Sequence, residues 1–300
     1  MNNNLAFIIP YFKLSFFRET LESLALQTNQ RFNVYIGNDA SPEDPRVLLK
    51  EFENRFKFIY KKFENNLGGT SLTKQWDRCI ALMNDEAWFT ILGDDDVVSE
   101  NYVEAFYNNL DEINENKCNV IKFSQCWIDE KGSMINEFTS YNQFIDPTEN
   151  LNFKLKLHHR SSLSEHVFRK VKYSLIGFVA LPIAWGSDDI AVLEFADNNM
   201  IYFIDSAKVF VRISTENISG REDNILVKNI AMIQYEKHLI KNHFKKLEVN
   251  YLKHKINLHL GYRFIEKIPL GFSILRMYLH LREFKKIIKL PKLYFRLWRN

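Results

Sequence analysis

The chain has 300 residues, 46% of them hydrophobic and 26% charged, with 10 glycines and 7 prolines, which excludes a collagen-like, low-complexity or globally disordered protein. This is enough sequence for one large domain, or a domain with an appendage. The net charge of +3 hides an acidic body and a basic tail: from Lys241 onward 15 Lys/Arg face 3 Asp/Glu, whereas the preceding 240 residues carry 25 basic and 34 acidic residues.

Leu5–Tyr11 is a short apolar run and reads as a central first strand, with Pro10 near its end because proline donates nothing to a ladder. Ser15 then opens a helix whose apolar face is Phe17, Leu21, Leu24 and Leu26. Phe32–Gly37 is a second strand, followed by the turn formers Asn38-Asp39-Ala40-Ser41-Pro42. A helix over Pro45–Asn54, a third strand at Lys57–Tyr60, a loop over Asn65–Ser71 and a helix from Leu72 to Met83 come next. Trp88–Leu92 is a fourth strand, ended by Gly93 and then by Asp94-Asp95-Asp96. Strands alternating with helices at this spacing predict an α/β fold with a mostly parallel sheet. Right-handed crossovers would then line up Pro10-Tyr11, Asp39 and the aspartate triplet along one sheet edge.

The triplet has two readings. It is either a solvated acidic turn before the next helix, or a site for a hard cation such as Mg²⁺ or Mn²⁺, which takes carboxylate oxygens. A helix over Asn101–Asn114, a fifth strand at Asn119–Ser124 and a hairpin around Glu130-Lys131-Gly132 follow. Tyr141–Ser164 is polar and irregular, with a helix near Leu151–Leu157 and two histidines, His158 and His159, that read as surface residues. Gly186-Ser187-Asp188-Asp189 opens an amphipathic helix. Ser187 or Asp188 suits an N-cap there, and a carboxylate fixed at a helix start also suits a general base. Ile201–Ile204 and Lys208–Ile213 read as two strands, with the loop Ser214–Arg221 after them.

The tail changes character. Val227–Leu260 has helical periodicity, and Leu270–Asn300 mixes aromatic and aliphatic residues with Lys and Arg. Pieces such as Ile274–Ile288 suit either an anionic membrane interface or a helical subdomain with a solvated basic face; no nucleic-acid motif accompanies the charge. Cys79, Cys118 and Cys126 form no CxxC pair and read as buried thiols in a reducing cytoplasm. The N-terminus has no signal-peptide pattern, and no window offers the roughly 20 apolar residues of a spanning helix.

These motifs together resemble the family 2 glycosyltransferases, nucleotide-sugar enzymes of the GT-A fold, over roughly Leu5–Ser219. Phe7–Tyr11 is similar to the family's opening strand, which places Pro10 and Tyr11 against the nucleotide. Gly37–Ser41 resembles its Asp-Asp-Gly-Ser turn, with Asp39 on base or ribose. Asn66–Gln75 resembles its Asn-x-Gly…Ser-x-x-Arg-Asn segment, with Gly69 in the loop and Lys74 where Arg is frequent. Asp94-Asp95-Asp96 matches the Asp-x-Asp signature for metal and diphosphate. The resemblance makes Asp96 the first metal ligand, with Asp94 or Asp95 assisting. Gly186–Asp189 resembles the Gly-Glu-Asp-Trp segment that carries the base, which nominates Asp188, or Asp189 if the register slips by one. Gly93 stands where many members have another Asp, Ser187 replaces Glu, and Val211–Ser214 lacks the histidine of a Tyr-Arg-x-His segment.

The implied architecture is a GT-A domain over 1–225 and a helical, basic extension over 226–300. The implied activity is an inverting, metal-dependent transfer of a hexosyl or N-acetylhexosaminyl group from a nucleoside-diphosphate sugar, a UDP-sugar foremost. The acceptor would be a glycan or lipid-linked molecule of bacterial surface-polysaccharide assembly, met at the cytoplasmic membrane face. The alternatives are a sugar-nucleotide nucleotidyltransferase, for which the turn after the first strand offers only Lys13 as a phosphate-binding base, and a non-catalytic nucleotide-sugar or glycan-binding module, which would have no use for a separate Ser-Asp-Asp segment.

Overall fold

The computed structural model describes residues 4–156, 161–249, 251 and 271–299. Four parallel strands begin the fold: β1 (Leu5–Tyr11), β2 (Phe32–Asn38), β3 (Phe58–Lys62) and β4 (Trp88–Ile91). Among the described residues the sheet has nine strands, eight of them in the order β3-β2-β1-β4-β8-β6-β9-β5, where β5 is Val97–Val98, β6 Val120–Ile128, β8 His166–Arg169 and β9 Ile201–Arg212. A further short strand, β7 (Phe144–Ile145), pairs with β9. β6 and β9 are parallel, and β5, β7 and β8 run antiparallel to their neighbours, so the sheet is mixed but mostly parallel.

Both sheet faces are covered, because β1 is apolar at every position and must be buried on two sides. Leu5, Phe7, Ile9 and Tyr11 pack with α1 (Phe17–Ala25), α2 (Arg46–Lys50) and α4 (Tyr102–Glu115). Ala6 and Ile8 pack with α3 (Leu72–Ile80) and α7 (Ser187–Ala196). Within α1, Phe17, Leu21 and Leu24 are fully buried at helical spacing, each contributing about 1.5–3 kcal/mol by leaving water, whereas Leu26 lies beyond the helix and is half exposed. All three cysteines are buried free thiols.

Four features differ from expectation. β9 is one strand rather than two, because the register against β6 jumps between Phe123 and Ser124 and Asp205-Ser206 bulge outward. β8 fills the gap between β4 and β6 just after the stretch Tyr141–Ser164 that reads as polar and irregular, where no strand is expected. Neither Ser187 nor Asp188 caps α7 with its side chain; Gly186 precedes the helix with a φ of 89°. The expected hairpin reduces to a turn around Gly132 and one antiparallel bridge, Ile128 to Met134.

In the remaining part of the chain α5 (Pro147–Leu155) and α6 (Lys170–Ile176) precede α7, and α8 (Ile225–His243) follows β9. The expected surface histidines His158 and His159 lie outside the described residues, as does 252–260 of the expected Val227–Leu260 helix. The chain forms two compact units, Met1–Ala231 and Met232–Asn300. The second contains α9 (Gly271–His280) and α10 (Phe284–Arg299), with Met277, Tyr278 and Leu290 buried and Phe284 and Ile288 exposed. Among the described residues no helix is long and apolar enough to cross a membrane.

Candidate active site

Because β1, β2 and β4 are parallel, their carboxyl ends share an edge, the place where open α/β sheets bind ligands. The strand ends are tied together there: the Asp39 N–H donates to the Tyr11 carbonyl at 3.1 Å and the Leu92 N–H to the Ile8 carbonyl at 2.9 Å. Beyond β4, Asp94 Oδ2 accepts from the backbone N–H groups of Phe12 and Lys13 at 2.7 and 2.8 Å. Asp95 Oδ2 accepts from Asn217 Nδ2 at 3.1 Å. Asp96 is buried, with Oδ1 accepting from the Arg212 N–H at 2.8 Å and Oδ2 from the Ser164 hydroxyl. Ser164 also accepts from the Gly93 N–H at 3.1 Å.

The carboxylates fold back over Gly93. A Cβ there would sit 2.9 Å from both Asp95 Oδ1 and Asp96 Oδ2, which explains why this chain has glycine where an extra Asp would be familiar. Burial, and then the charge of Asp95, push Asp94 up to about 7 and Asp96 up to about 8; burial also raises Asp95. Three carboxyls that resist ionising together fit a divalent cation, whose charge would favour their anionic forms. Beyond the hydrogen bonds given above, the three carboxylates keep oxygen lone pairs with which to meet a cation. The donor set is therefore all hard oxygen, as Mg²⁺ or Mn²⁺ requires.

Arg212 holds this turn from behind. Its side chain is fully buried, donating from Nε to the Asp95 carbonyl at 3.0 Å and from Nη1 to the Asp129 carbonyl at 2.9 Å, pairing with Glu19, and lying 4.4 Å from the Phe16 ring centre. Asn217 also donates to the Arg212 carbonyl, and Lys13 Nζ to the Glu216 carbonyl, so the loop after β9 is anchored on the same edge.

Asp39 organises a second part of the edge. Its two oxygens accept from the N–H groups of Leu67 and Gly68 at 2.8 and 2.9 Å, and Arg78 pairs with it. A Cβ on Gly68 would lie 2.5 Å from Asp39 Oδ2, so glycine is required at this close approach. Gly69 sits one step further and donates to Asn66 Oδ1 at 2.6 Å. Arg78 also donates to Asn65 and lies 4.0 Å over the Phe63 ring. Lys74, one helical turn earlier, is exposed. The Tyr11 ring is buried against Phe17 and its hydroxyl donates to the Glu43 carbonyl, so Tyr11 reaches the edge through its backbone; Pro10 is half-buried.

Asp188 and Asp189 occupy the first turn of α7, where the helix dipole favours anions. Asp189 Oδ2 lies 3.7 Å from Lys154 Nζ. Burial and the adjacent Asp189 push Asp188 up to about 7, near the working range of a base at neutral pH. This turn and the triplet are linked through 164–165: Ser164 holds Asp96, and Lys154 acts electrostatically on Glu165, Asp188 and Asp189 alike.

The expected residues Asp39, Gly69 and Asp94–Asp96 are thus gathered on one edge, with Asp188 and Asp189 linked to it. Arg78, Gly68, Ser164, Asn217 and Lys154 complete the arrangement. Of these, only Arg78 had a visible signal, as a basic residue four positions after Lys74 and so on the same face of α3.

A family model described as Glycosyl transferase family 2 matches residues 6–171. Similar solved structures include S. aureus TarS 1-349 in complex with UDP, at 13% identity and a TM-score of 0.55, covering 99% of this chain and 92% of that one. TarS 1-349 in complex with UDP-GlcNAc gives 14% identity and a TM-score of 0.58 with the same coverage. S. aureus TarS gives 16% and 0.57, covering 92% of this chain and 48% of that one. At such identities the likeness is one of fold: a mostly parallel sheet flanked by helices, of the GT-A kind. No curated protein sequence matches the chain.

Proposed function

This chain belongs to glycosyl transferase family 2, and from that premise we propose that it is an inverting, metal-dependent transferase that moves a sugar from a UDP-sugar to a hydroxyl of a glycan or lipid-linked acceptor. The observation that carries the reading is the pairing of a carboxylate triplet at one strand end with a separate, half-buried carboxylate, Asp188, at the start of α7, which burial and then Asp189 push up to about 7. Binding alone has no use for a base. The UDP and UDP-GlcNAc bound by the TarS 1-349 structures favour a UDP-sugar, and UDP-GlcNAc a transferred N-acetylhexosamine.

In this reading Asp39, the Gly68-Gly69 loop, Arg78 and Lys74 receive the nucleoside, together with the backbone at Pro10-Tyr11. Asp94, Asp95 and Asp96 hold the divalent cation, Mg²⁺ or Mn²⁺, which when bound neutralises charge on the departing diphosphate. Asp188 accepts the acceptor's hydroxyl proton as that oxygen bonds to the anomeric carbon, while the carbon–oxygen bond to the diphosphate breaks and its electron pair leaves with the UDP. Attack opposite the leaving group inverts the anomeric centre. Asp189 is the alternative base, but its carboxylate is already engaged by Lys154 at 3.7 Å, which makes Asp188 the better candidate.

The role in bacterial surface-polysaccharide assembly, and docking at the cytoplasmic face of the inner membrane, are the remaining parts of the proposal. The exposed Phe284 and Ile288, one helical turn apart and flanked by exposed Lys285, Lys286, Lys289 and Lys292, support the membrane contact. Two variants test the chemistry: Asp96→Asn should abolish turnover with the fold intact, and Asp188→Asn should abolish turnover while still binding UDP-sugar. Substantial transferase activity in either purified variant refutes that residue's role.

A further inference from the structure

Behind the proposed base lies a run of buried charges that the chemistry above does not use. Lys122 on β6 and Glu165 just before β8 are 1% and 0% exposed and lie 3.3 Å apart. Lys122 also donates to Asn150 Oδ1 at 3.0 Å and faces the Tyr141 ring. His166 is equally buried, 3.8 Å from Glu165, and its Nδ1 meets the Ser162 carbonyl. Burying an ion pair adds little net stability, since desolvation offsets the attraction.

Asn150 lies on α5, a helix fixed at its start by Asp146, which accepts from the N–H groups of Thr148 and Glu149. Lys154 is four residues beyond Asn150 and so lies on the same face. The face that grips buried Lys122 therefore also delivers the Lys154 ammonium to Asp189. Asp188 has no comparable partner among the described residues.

We infer that Lys154 is a positioning residue for the transfer: held by α5, it engages Asp189, fixes the first turn of α7, and leaves Asp188 as the carboxylate that receives the acceptor's proton. The inference rests on Asp188 being the base. The charged groups facing Asp188 are Asp189 on its own helix and Lys154 on α5. Glu165, Lys122 and His166 stand behind Lys154, and Lys172 on α6 is engaged by Asp197 at the far end of α7. Asp189 raises Asp188 and Lys154 lowers it. Removing either charge must shift the proton affinity of Asp188, in opposite directions.

The test is the pH profile of kcat/KM at saturating cation for the full chain, comparing wild type with Lys154→Met, Lys154→Arg and Asp189→Asn. Lys154→Met is expected to move the acid limb upward by about one pH unit, a tenfold loss below the limb, because the partly exposed ammonium is screened by solvent. The KM for the UDP-sugar stays unchanged, Lys154→Arg restores the wild-type profile, and Asp189→Asn moves the limb downward. A Lys154→Met enzyme that is slower at every pH with its limb unmoved overturns the inference while leaving the base assignment standing. If Lys154→Met fails to fold, an unmoved limb in Asp189→Asn overturns it equally. Retained turnover in Asp188→Asn, with none in Asp189→Asn, overturns the base assignment and the inference with it.

Discussion

Replacing Arg212 with methionine probes how the triplet is held. The guanidinium is completely buried and serves two backbone carbonyls, those of Asp95 and Asp129, besides its pair with Glu19. Methionine keeps much of the volume and the contact with Phe16 but leaves both carbonyls without their charged donor. Each such loss costs about 1.5–3 kcal/mol. Glu19 is 53% exposed and can return to water, so its pair adds under about 1 kcal/mol. The sum is about 3–7 kcal/mol of stability, a large share of the roughly 5–15 kcal/mol typical of a folded protein. The backbone N–H of residue 212 still meets Asp96, so the turn loosens at Asp95 first and affinity for UDP-sugar with Mn²⁺ falls. Urea denaturation followed by circular dichroism gives the stability, and titration calorimetry the affinity. A midpoint and an affinity both equal to wild type would refute the view that Arg212 braces the site.

Further consequences follow from the same geometry. Gly93→Ala pushes a methyl against Asp95 Oδ1 and Asp96 Oδ2, so turnover should fall about tenfold or more in the transfer assay with the fold preserved. Ala40 stands where the resembling turn has glycine, and its φ is 54°; Ala40→Gly should therefore raise the unfolding free energy read from urea denaturation by under about 1 kcal/mol. Asp94 and Asp96 have folded pKa values raised above their unfolded ones. Their contribution is thus favourable at low pH and is lost as pH rises through about 7 to 8. The cation-free protein should gain stability when acidified from pH 8 to 6, and saturating Mn²⁺ should abolish that gain. Reversing Lys285, Lys286, Lys289 and Lys292 to Glu should reduce sedimentation with anionic vesicles; unchanged binding would refute the membrane contact.

The parts of the fold legible in the sequence are those whose pattern is local. β1 begins and ends at the predicted residues because a short apolar run closed by Pro10 and Tyr11 suits a strand buried on both faces. The aspartate triplet stood out because three like charges at a strand end need an external reason. β8 is hard to see because its apolar centre is only Val167-Phe168, set between Glu165-His166 and Arg169, and only the tertiary pairing of Glu165 with Lys122 makes its start fit for burial. Ser164, Asn217 and Lys154 escaped for a related reason: single polar residues in loops and on a short helix acquire meaning only from the carboxylates that folding brings to them. The bulge in β9 was read as a strand break because Asp205-Ser206 interrupts the apolar run, although the chain passes through without leaving the sheet.

The most direct test of the account is a transfer assay on the purified full chain with a panel of UDP-sugars, Mn²⁺ or Mg²⁺, and lipid-linked glycan acceptors, with the product's anomeric configuration read by proton NMR. Cation-dependent transfer from a UDP-sugar is expected, with the configuration of the donor inverted in the product. Transfer that is indifferent to chelator, a product with retained configuration, or turnover with no nucleotide sugar at all would contradict it.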